Sequence, residues 1–350
     1  RHLKHFLLTM LSSPTKVLSP TMAASAAIRF ASSLRRSNKL SSISRGYLHR
    51  TTIICSLSQV EPRISNNDTF TVTDQKISLA CPICFHKLTL ISSGVTFATC
   101  SSQTELKCSG CQQRYSGKES HLELAIPSTD SKPLATELFR LPLVSFAYER
   151  GWRQSFSAGG FPGPEKEFEM MKNYLNSASG GIIVDASCGS GLFARIFAKS
   201  GMFSFVAALD FSENMIQQCA DFIGQDDGIS KENIMLLRSD IVRLPFVSGS
   251  VDAVHAGAAI HCWPSPFTAV AEICRVLKPG GVFVGTTYVL DGLRNLPLIK
   301  PISQGATRLS GIQFFLEEGE IENICSSCGL VDYQFLRNDQ FIMFSAKKQS

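Results

Sequence analysis

The chain has 350 residues, of which 44% are hydrophobic and 18% charged, and its formal net charge is +5 at pH 7. The excess positive charge lies in residues 1–60, which carry nine Lys or Arg, twelve Ser and no acidic residue, whereas residues 61–350 carry 25 basic and 29 acidic residues, a net charge of −4. The main part of the chain therefore lacks the general positive charge that phosphate binding requires, and its length suits one large α/β domain with a smaller segment.

Residues 1–57 are predicted to be upstream residues followed by a disordered organelle transit peptide, because they are basic, Ser-rich and poor in acids, as such peptides are. Met22-Ala23-Ala24-Ser25 resembles a translation start, and Ile53-Ile54-Cys55-Ser56 resembles a chloroplast processing site. A mitochondrial presequence is the alternative. The Arg spacing makes no strong amphipathic helix, which favours the plastid.

Two CxxC pairs lie in residues 75–127: Cys81 with Cys84, and Cys108 with Cys111. Four converging thiolates are the natural ligand set of a structural Zn(II) ion, so this segment is predicted to be a zinc ribbon with Val95–Thr99 as a strand. About fifty residues bury little surface, so the ion is expected to supply folding free energy. The other cysteines are expected to be reduced thiols, and Cys325-Ser326-Ser327-Cys328 is predicted to be structural.

From Gly181 onward, apolar runs of strand length alternate with amphipathic stretches, the pattern of a doubly wound α/β sheet. The predicted strands are 182–185, 203–210, 234–238, 251–257 and 282–287, and the predicted helices include 192–200 and 213–223, the second capped by Ser212. No run has the roughly 20 apolar residues of a membrane span, so a soluble or peripheral protein is expected.

Gly189-x-Gly191-x-x-Ala194 follows the first of these strands and fits a glycine loop that approaches a nucleotide at a helix N-terminus. Asp185 stands at the end of the strand, where its charge would repel a pyrophosphate. The ammonium and sulfonium groups of S-adenosylmethionine suit this acid better than NAD does.

Residues 135–350 resemble class I S-adenosylmethionine-dependent methyltransferases of the ubiquinone and menaquinone methylase type. Val184-Asp185-Ala186-Ser187-Cys188-Gly189-Ser190-Gly191 is similar to the family's first motif, and Arg275-Val276-Leu277-Lys278-Pro279-Gly280-Gly281 is similar to its loop before strand five. The resemblance implies that Asp210 binds the ribose hydroxyls and that Asp240 and Ile241 hold the adenine. The implied cofactor residues are Asp185, Ser187, Gly189, Gly191, Asp210, Phe211, Asp240 and Ile241. Ser187 departs from the family, which usually has glycine there.

The order of transit peptide, four-cysteine ribbon and methyltransferase resembles a plant group of chloroplast methyltransferases associated with plastoglobules. It implies a small or lipid-like acceptor and peripheral association with these lipid droplets. Bacterial ribosomal RNA guanine methyltransferases share the order of ribbon and methylase, so RNA is the rival substrate. The third hypothesis is a scaffold protein that binds the cofactor but has no catalytic activity.

The acceptor side of the predicted site carries four candidate pocket residues and one candidate general base. His261 follows the fourth strand, where open α/β sheets bind ligands, and is the candidate base. The candidate pocket residues are Tyr148, Trp152, Arg153 and Trp263. The stretch Gly257-Ala258-Ala259-Ile260 lacks the Asn or Asp with two prolines used by methylases of exocyclic base amines, so that chemistry is disfavoured.

Overall fold

The computed structural model describes residues 77–91, 103–126, 157, 159–289 and 316–350. The predicted transit peptide and the strand predicted at Val95–Thr99 lie outside the described residues. The described strands are β1 Leu88–Leu90, β2 Glu105–Cys108, β3 Arg114–Ser116, β4 Leu122–Glu123, β5 Ile182–Ala186, β6 Phe205–Asp210, β7 Ile234–Arg238, β8 Val251–Ala256, β9 Leu277–Tyr288, β10 Leu330–Asn338 and β11 Phe341–Lys348. The described helices are α1 Pro164–Leu175, α2 Leu192–Lys199, α3 Glu213–Gly224, α4 Pro266–Val276 and α5 Glu318–Ser327.

Eight of these strands form one sheet in the order β10-β11-β9-β8-β5-β6-β7-β4. The pairs among β7, β6, β5, β8 and β9 are all parallel, and β11 is antiparallel to both of its neighbours. The strand order reverses between β5 and β8, and this switch point is where doubly wound sheets bind ligands, outside the carboxyl ends of the strands. The glycine loop after β5 lies at this point.

Helices cover both faces of the sheet, as the predicted doubly wound α/β fold requires. One face packs against α1, α2 and α3 through buried side chains such as Phe168, Phe197 and Ile216. The other face packs against α4 and α5 through Ile273 and Ile321. Alternation along the strands divides the core: Ile183 faces the first layer and Val184 the second.

The cysteine-rich segment, described over residues 77–91 and 103–126, packs on the second face of the large sheet. Strands β1, β2 and β3 form an antiparallel sheet, whereas β4 pairs in parallel with β7 and extends the large sheet by one strand. Leu79, Leu88 and Leu106 belong to the same hydrophobic cluster as the main domain. The segment therefore shares a hydrophobic core with the main domain. This contact buries apolar surface that an isolated ribbon of this size could not bury by itself.

The strand and helix predictions for the main domain are confirmed to within two residues at every end but one, and Ser212 caps α3 by accepting a hydrogen bond from Met215 N. The exception is β9, which begins at Leu277, five residues before the predicted start, so most of the predicted loop at residues 275–281 belongs to the strand. No helix within the described parts of the chain is long and apolar enough to cross a membrane.

Candidate active site

The glycine loop between β5 and α2 turns through three residues with positive φ: Ser187 at 60°, Gly189 at 57° and Gly191 at 82°. A Cβ atom at Gly191 would lie inside contact distance of Cys219 Sγ on α3, so close packing as well as φ requires glycine there. Ser187 is an L-residue in a left-handed conformation, which is uncommon. Its hydroxyl accepts a hydrogen bond from Trp263 Nε1 at 3.0 Å, which helps hold this conformation.

Asp210, the last residue of β6, links the glycine loop to the start of α3. Its Oδ2 accepts a hydrogen bond from Gly189 N at 3.0 Å and its Oδ1 accepts one from Ser212 N at 2.8 Å. Burial raises the pKa of this carboxyl group, and the N–H donors of Ser212 and Gly189 oppose that rise. The position at the carboxyl end of β6 suits the predicted ribose contact, which stays a prediction.

Asp240 and Ile241 follow β7 at the same edge of the sheet, and Phe211 follows β6. Asp240 Oδ1 accepts a hydrogen bond from Val242 N at 3.3 Å, and Ile241 is buried. The Arg238 guanidinium lies over the Phe211 ring, 5.5 Å from its centroid, and donates to the Phe211 carbonyl. Because β6 and β7 are paired neighbours, the two residues predicted to hold the adenine, Asp240 and Ile241, lie at the same edge of the sheet as Phe211, another predicted cofactor residue.

Asp185 lies beneath the loop, on the sheet face that packs against α2, and is only 1% exposed. Its Oδ1 lies 2.8 Å from His255 Nδ1, and the imidazole packs 4.6 Å from the Phe193 ring. Among the described residues, Asp185 Oδ2 and His255 Nε2 have no hydrogen-bond partner. β5 turns the Asp185 side chain toward the core, and its predicted role in cofactor binding stays a prediction. From this position the Asp185 carboxylate can act electrostatically, across the glycine loop, on a cationic group bound above it.

His261 lies in a short 3₁₀ turn after β8, and its Nδ1 is 2.9 Å from Thr287 Oγ1 on β9. Its ring packs 5.5 Å from that of Tyr288, which packs 4.6 Å from Phe161. Burial lowers the pKa of His261 to about 4, so the imidazole is neutral at pH 7. A neutral imidazole can accept a proton, but so low a pKa makes it a weak base.

Trp263 is 3% exposed, and its indole packs into the core on the second face of the sheet. Trp263 supports the glycine loop through its hydrogen bond to Ser187, and its predicted role as a pocket wall stays a prediction. The other three predicted pocket residues, Tyr148, Trp152 and Arg153, lie outside the described residues.

Four residues were not predicted from the sequence: Thr287, Tyr288 and Arg238 at the carboxyl edge of the sheet, and Arg243, which donates to the carbonyls of Pro82 and Ile83 between two of the cysteines. Thr287 and Tyr288 stand at the carboxyl end of the fifth parallel strand, and that position was the available signal. No local pattern marks Arg238 or Arg243, because their partners lie in the cysteine-rich segment more than 100 residues away.

The predicted metal ligands Cys81, Cys84, Cys108 and Cys111 converge, with their Sγ atoms all within 4.8 Å of one another. Cys81 Sγ is 3.7 Å from Cys111 Sγ, and Cys84 Sγ is 3.4 Å from Cys108 Sγ. Tetrahedral zinc with Zn–S bonds of about 2.3 Å would place sulfurs about 3.8 Å apart. The donor set and its spacing therefore fit one zinc ion.

Hydrogen-bond donors contact the sulfurs, and such donors favour the thiolate form that binds metal, although burial still raises the pKa of the Cys108 thiol. Gly110 N donates to Cys108 Sγ at 3.3 Å, and Tyr115 Oη lies 3.0 Å from Cys81 Sγ. The backbone N–H of His86 is the main cause that lowers the pKa of the Cys84 thiol to about 5.

Comparison with known proteins identifies the family to which the chain belongs. Residues 184–285 match the family model described as a methyltransferase domain. An uncharacterized chloroplastic methyltransferase of Arabidopsis thaliana is 55% identical over 284 residues, covering 79% of this chain and 80% of that protein. A demethylmenaquinone methyltransferase of Staphylococcus aureus is 31% identical over 143 residues, covering 41% of this chain and 51% of that protein.

Among solved structures, phosphoethanolamine N-methyltransferase 2 of Haemonchus contortus in complex with S-adenosyl-L-methionine has a TM-score of 0.52 and 15% sequence identity. The match covers 81% of this chain and 72% of that chain, and it shows a shared fold. Together with the relative at 55% identity and the glycine loop at the switch point of the sheet, these comparisons show that the chain belongs to the S-adenosylmethionine-dependent methyltransferases.

Proposed function

We propose that this methyltransferase acts in the plastid on a small, apolar acceptor, with a structural zinc ion at its four cysteines. Asp210 would bind the ribose hydroxyls, Asp240 and Ile241 would hold the adenine with Phe211 beside them, and the backbone of Gly189 and Gly191 would approach the amino acid end. These groups all lie at the carboxyl edge of β5, β6 and β7. S-adenosylmethionine, when bound, supplies an electrophilic methyl group.

The chain contributes chiefly by positioning, since methyl transfer needs the acceptor atom in line with the sulfonium methyl. Asp210 fixes the spacing between the glycine loop and α3 through its two backbone contacts. Trp263 restrains Ser187 at the opposite end of the loop. His261 would orient or accept from an acceptor hydroxyl as a neutral imidazole rather than act as a strong base.

The acceptor class rests on one observation: among the described residues, the side chains gathered on the acceptor side, after β8 and at the end of β9, carry no formal charge at pH 7. Phe161 and Tyr288 supply aromatic surface, Thr287 a hydroxyl and His261 a neutral imidazole. Such a surface suits an apolar ring with a polar substituent, as in a prenyl-quinone-like compound, and would not attract phosphates. The similarity to a demethylmenaquinone methyltransferase supports the same class.

RNA is the second candidate, because a ribbon before a methylase also occurs in ribosomal RNA methyltransferases. Residues 75–127 hold five basic residues and three acids. Lys118 lies against Glu213 and Glu123, and Arg114 lies against Glu105, so part of this small surplus is already paired within the protein. The small-molecule proposal is therefore favoured.

The plastid location is supported by the chloroplastic relative and by the composition of residues 1–57. Within the plastid, we propose peripheral association with plastoglobules, where an apolar acceptor would be concentrated. Fractionation of leaf plastids with an antibody to the protein tests this. Enrichment in floating lipid droplets is expected, and recovery with ribosomes would contradict it.

Methyl-labelled S-adenosylmethionine tests the acceptor. The purified protein is incubated with a lipid extract and, separately, with RNA from plastids. Label is expected in the lipid extract, with a rate that changes little as salt rises. Label in RNA would contradict the proposal, and so would binding to single-stranded RNA that weakens by about 0.7 log units per contacted phosphate for each decade of salt. Binding of S-adenosylhomocysteine without transfer to either fraction would favour the scaffold.

A further inference from the structure

The segment between β7 and β8 connects the predicted adenine site to the four-cysteine site. Asp240 and Ile241 begin this segment at the carboxyl edge of the sheet. A few residues later the backbone pairs with the chain leading into the first CxxC: Ala80 N donates to Pro245 O at 2.9 Å, and Val247 N donates to Ser78 O at 3.1 Å. One stretch of backbone thus contacts both sites.

Arg243 is the side chain that joins this segment to the metal-binding turn. Its Nη1 donates to Pro82 O at 2.6 Å and to Ile83 O at 3.1 Å, and these two carbonyls lie between the thiols of Cys81 and Cys84. The guanidinium also lies 5.5 Å from the centroid of the Phe85 ring. Because metal coordination by the two thiols would fix this turn, Arg243 holds a stretch of backbone whose position the metal would restrain.

Side chains of α4 hold this segment on the other side of Arg243, at Leu244 and Phe246. Glu272 Oε2 accepts from Leu244 N at 2.8 Å in the core. Arg275 donates to Glu272, to Leu244 O and to Phe246 O, and its guanidinium lies 4.5 Å from the Phe85 ring centroid. Displacement of the turn would therefore be passed along the segment toward Asp240.

A second connection runs through β4. Glu123 Oε2 accepts from Arg238 Nη1 at 2.8 Å, and Arg238 donates to Phe211 O while covering its ring. Lys118 adds an ion pair with Glu213 in the first turn of α3. The cysteine-rich segment thus borders the residues after both β6 and β7.

We propose that Arg243 is a positioning residue that couples the four-cysteine site to the adenine site, so that zinc at the cysteines tightens binding of S-adenosyl ligands. This rests on the proposed assignment of Asp240 and Ile241 to the adenine. Coupling between two sites is reciprocal, so S-adenosylhomocysteine must tighten zinc binding by the same factor.

The test uses the full chain, zinc alone and S-adenosylhomocysteine alone as probes. Calorimetry measures the Kd of S-adenosylhomocysteine with zinc bound and after chelation, and chelator competition measures zinc affinity with and without S-adenosylhomocysteine. In the wild type both affinities are expected to change by the same factor, about 5 to 150, the usual range of coupling between two sites. In Arg243→Ala the zinc-loaded protein is expected to bind S-adenosylhomocysteine more weakly, and the coupling factor should fall toward one.

Arg114→Ala is the matched control, because Arg114 lies on β3 of the same segment, is exposed and pairs only weakly with Glu105 at 3.6 Å. It should keep both affinities and their coupling. Arg243→Lys provides a milder variant if Arg243→Ala does not fold. It keeps the charge but loses the planar fork, so an intermediate coupling factor is expected.

The proposal would be overturned if folded Arg243→Ala or Arg243→Lys kept the full wild-type coupling. It would also be overturned if zinc and S-adenosylhomocysteine bound to the wild type with no effect on each other's affinity. Asp240→Ala separates this failure from failure of the cofactor assignment. If Asp240→Ala weakens S-adenosylhomocysteine binding but Arg243→Ala does not, the coupling alone is wrong. If Asp240→Ala has no effect, the adenine assignment is wrong and the coupling proposal falls with it.

Discussion

At the residue scale, the glycine loop shows how a departure from a family pattern is accommodated. Ser187 replaces the usual glycine but keeps its positive φ, and the bond from Trp263 Nε1 to its hydroxyl compensates for part of the strain. The sequence marked Ser187 as unusual. It did not indicate the partner, because Trp263 lies 76 residues away and its direction depends on the turn after β8.

Substitution of Ser187 separates strain from hydrogen bonding. Ser187→Ala leaves the indole N–H without its partner and keeps the strain, so it should destabilise the protein by about 1–3 kcal/mol. Ser187→Gly also loses the bond but relieves the left-handed conformation, which costs an L-residue about 1–2 kcal/mol. Denaturant unfolding should therefore rank the wild type and Ser187→Gly above Ser187→Ala. An alanine variant at least as stable as the glycine variant would contradict this account.

The low pKa of His261 predicts how stability depends on pH. The unfolded residue binds a proton near pH 6.5 and the folded residue only near pH 4. The unfolded state therefore gains protons first on acidification, and stability present above pH 6.5 is lost as pH falls to 4, by about 3 kcal/mol. His261→Asn, which can still bond Thr287, should lose less stability over this window. Equal pH slopes for the two proteins in denaturant unfolding would contradict the buried, neutral imidazole.

At the element scale, the packing of α2 against α3 at Gly191 decides whether the loop can form. Gly191→Ala would bring a methyl group into Cys219 Sγ and impose a positive φ on alanine, so loss of S-adenosylhomocysteine binding is expected. Cys219→Ala in the same chain should restore binding in part, because only the steric conflict is removed. Gly201→Ala is the control: it has φ +66° but no atom within 4 Å, so it should cost only about 1–2 kcal/mol and leave binding intact. Full binding by Gly191→Ala in calorimetry would be the contrary result.

The strands of the main domain were predictable because each is a short apolar run between turn residues, and β7 was predicted with the bounds it has. Strand β4 was not. Its two residues carry no periodicity of their own, and the strand that they pair with, β7, lies about 115 residues away, where Arg238 also contacts Glu123. Likewise the burial of Asp185 follows from which face of β5 packs on α2, and a motif that fixes only residue types leaves that face undefined.

At the scale of the whole molecule, the cysteine-rich segment and the methyltransferase domain form a continuous core. Removal of zinc should therefore lower the stability of the entire protein. Cys108→Ser is expected to reduce bound zinc below half an equivalent and to lower the Tm of the unfolding transition. Metal analysis and calorimetric melting check both. One zinc retained by Cys108→Ser, or an unchanged Tm after chelation, would contradict the assignment.

The central claim is that the carboxyl edge of β5, β6 and β7 binds an S-adenosyl cofactor through Asp210. Calorimetric titration tests it most directly, with S-adenosylhomocysteine and NAD added to the wild type and to Asp210→Ala. The wild type should bind S-adenosylhomocysteine and not NAD, and Asp210→Ala should lose about 1.5–3 kcal/mol of binding free energy, the range for hydrogen bonds to a charged group. NAD binding without a response to S-adenosylhomocysteine, or equal affinities in the two proteins, would contradict the claim.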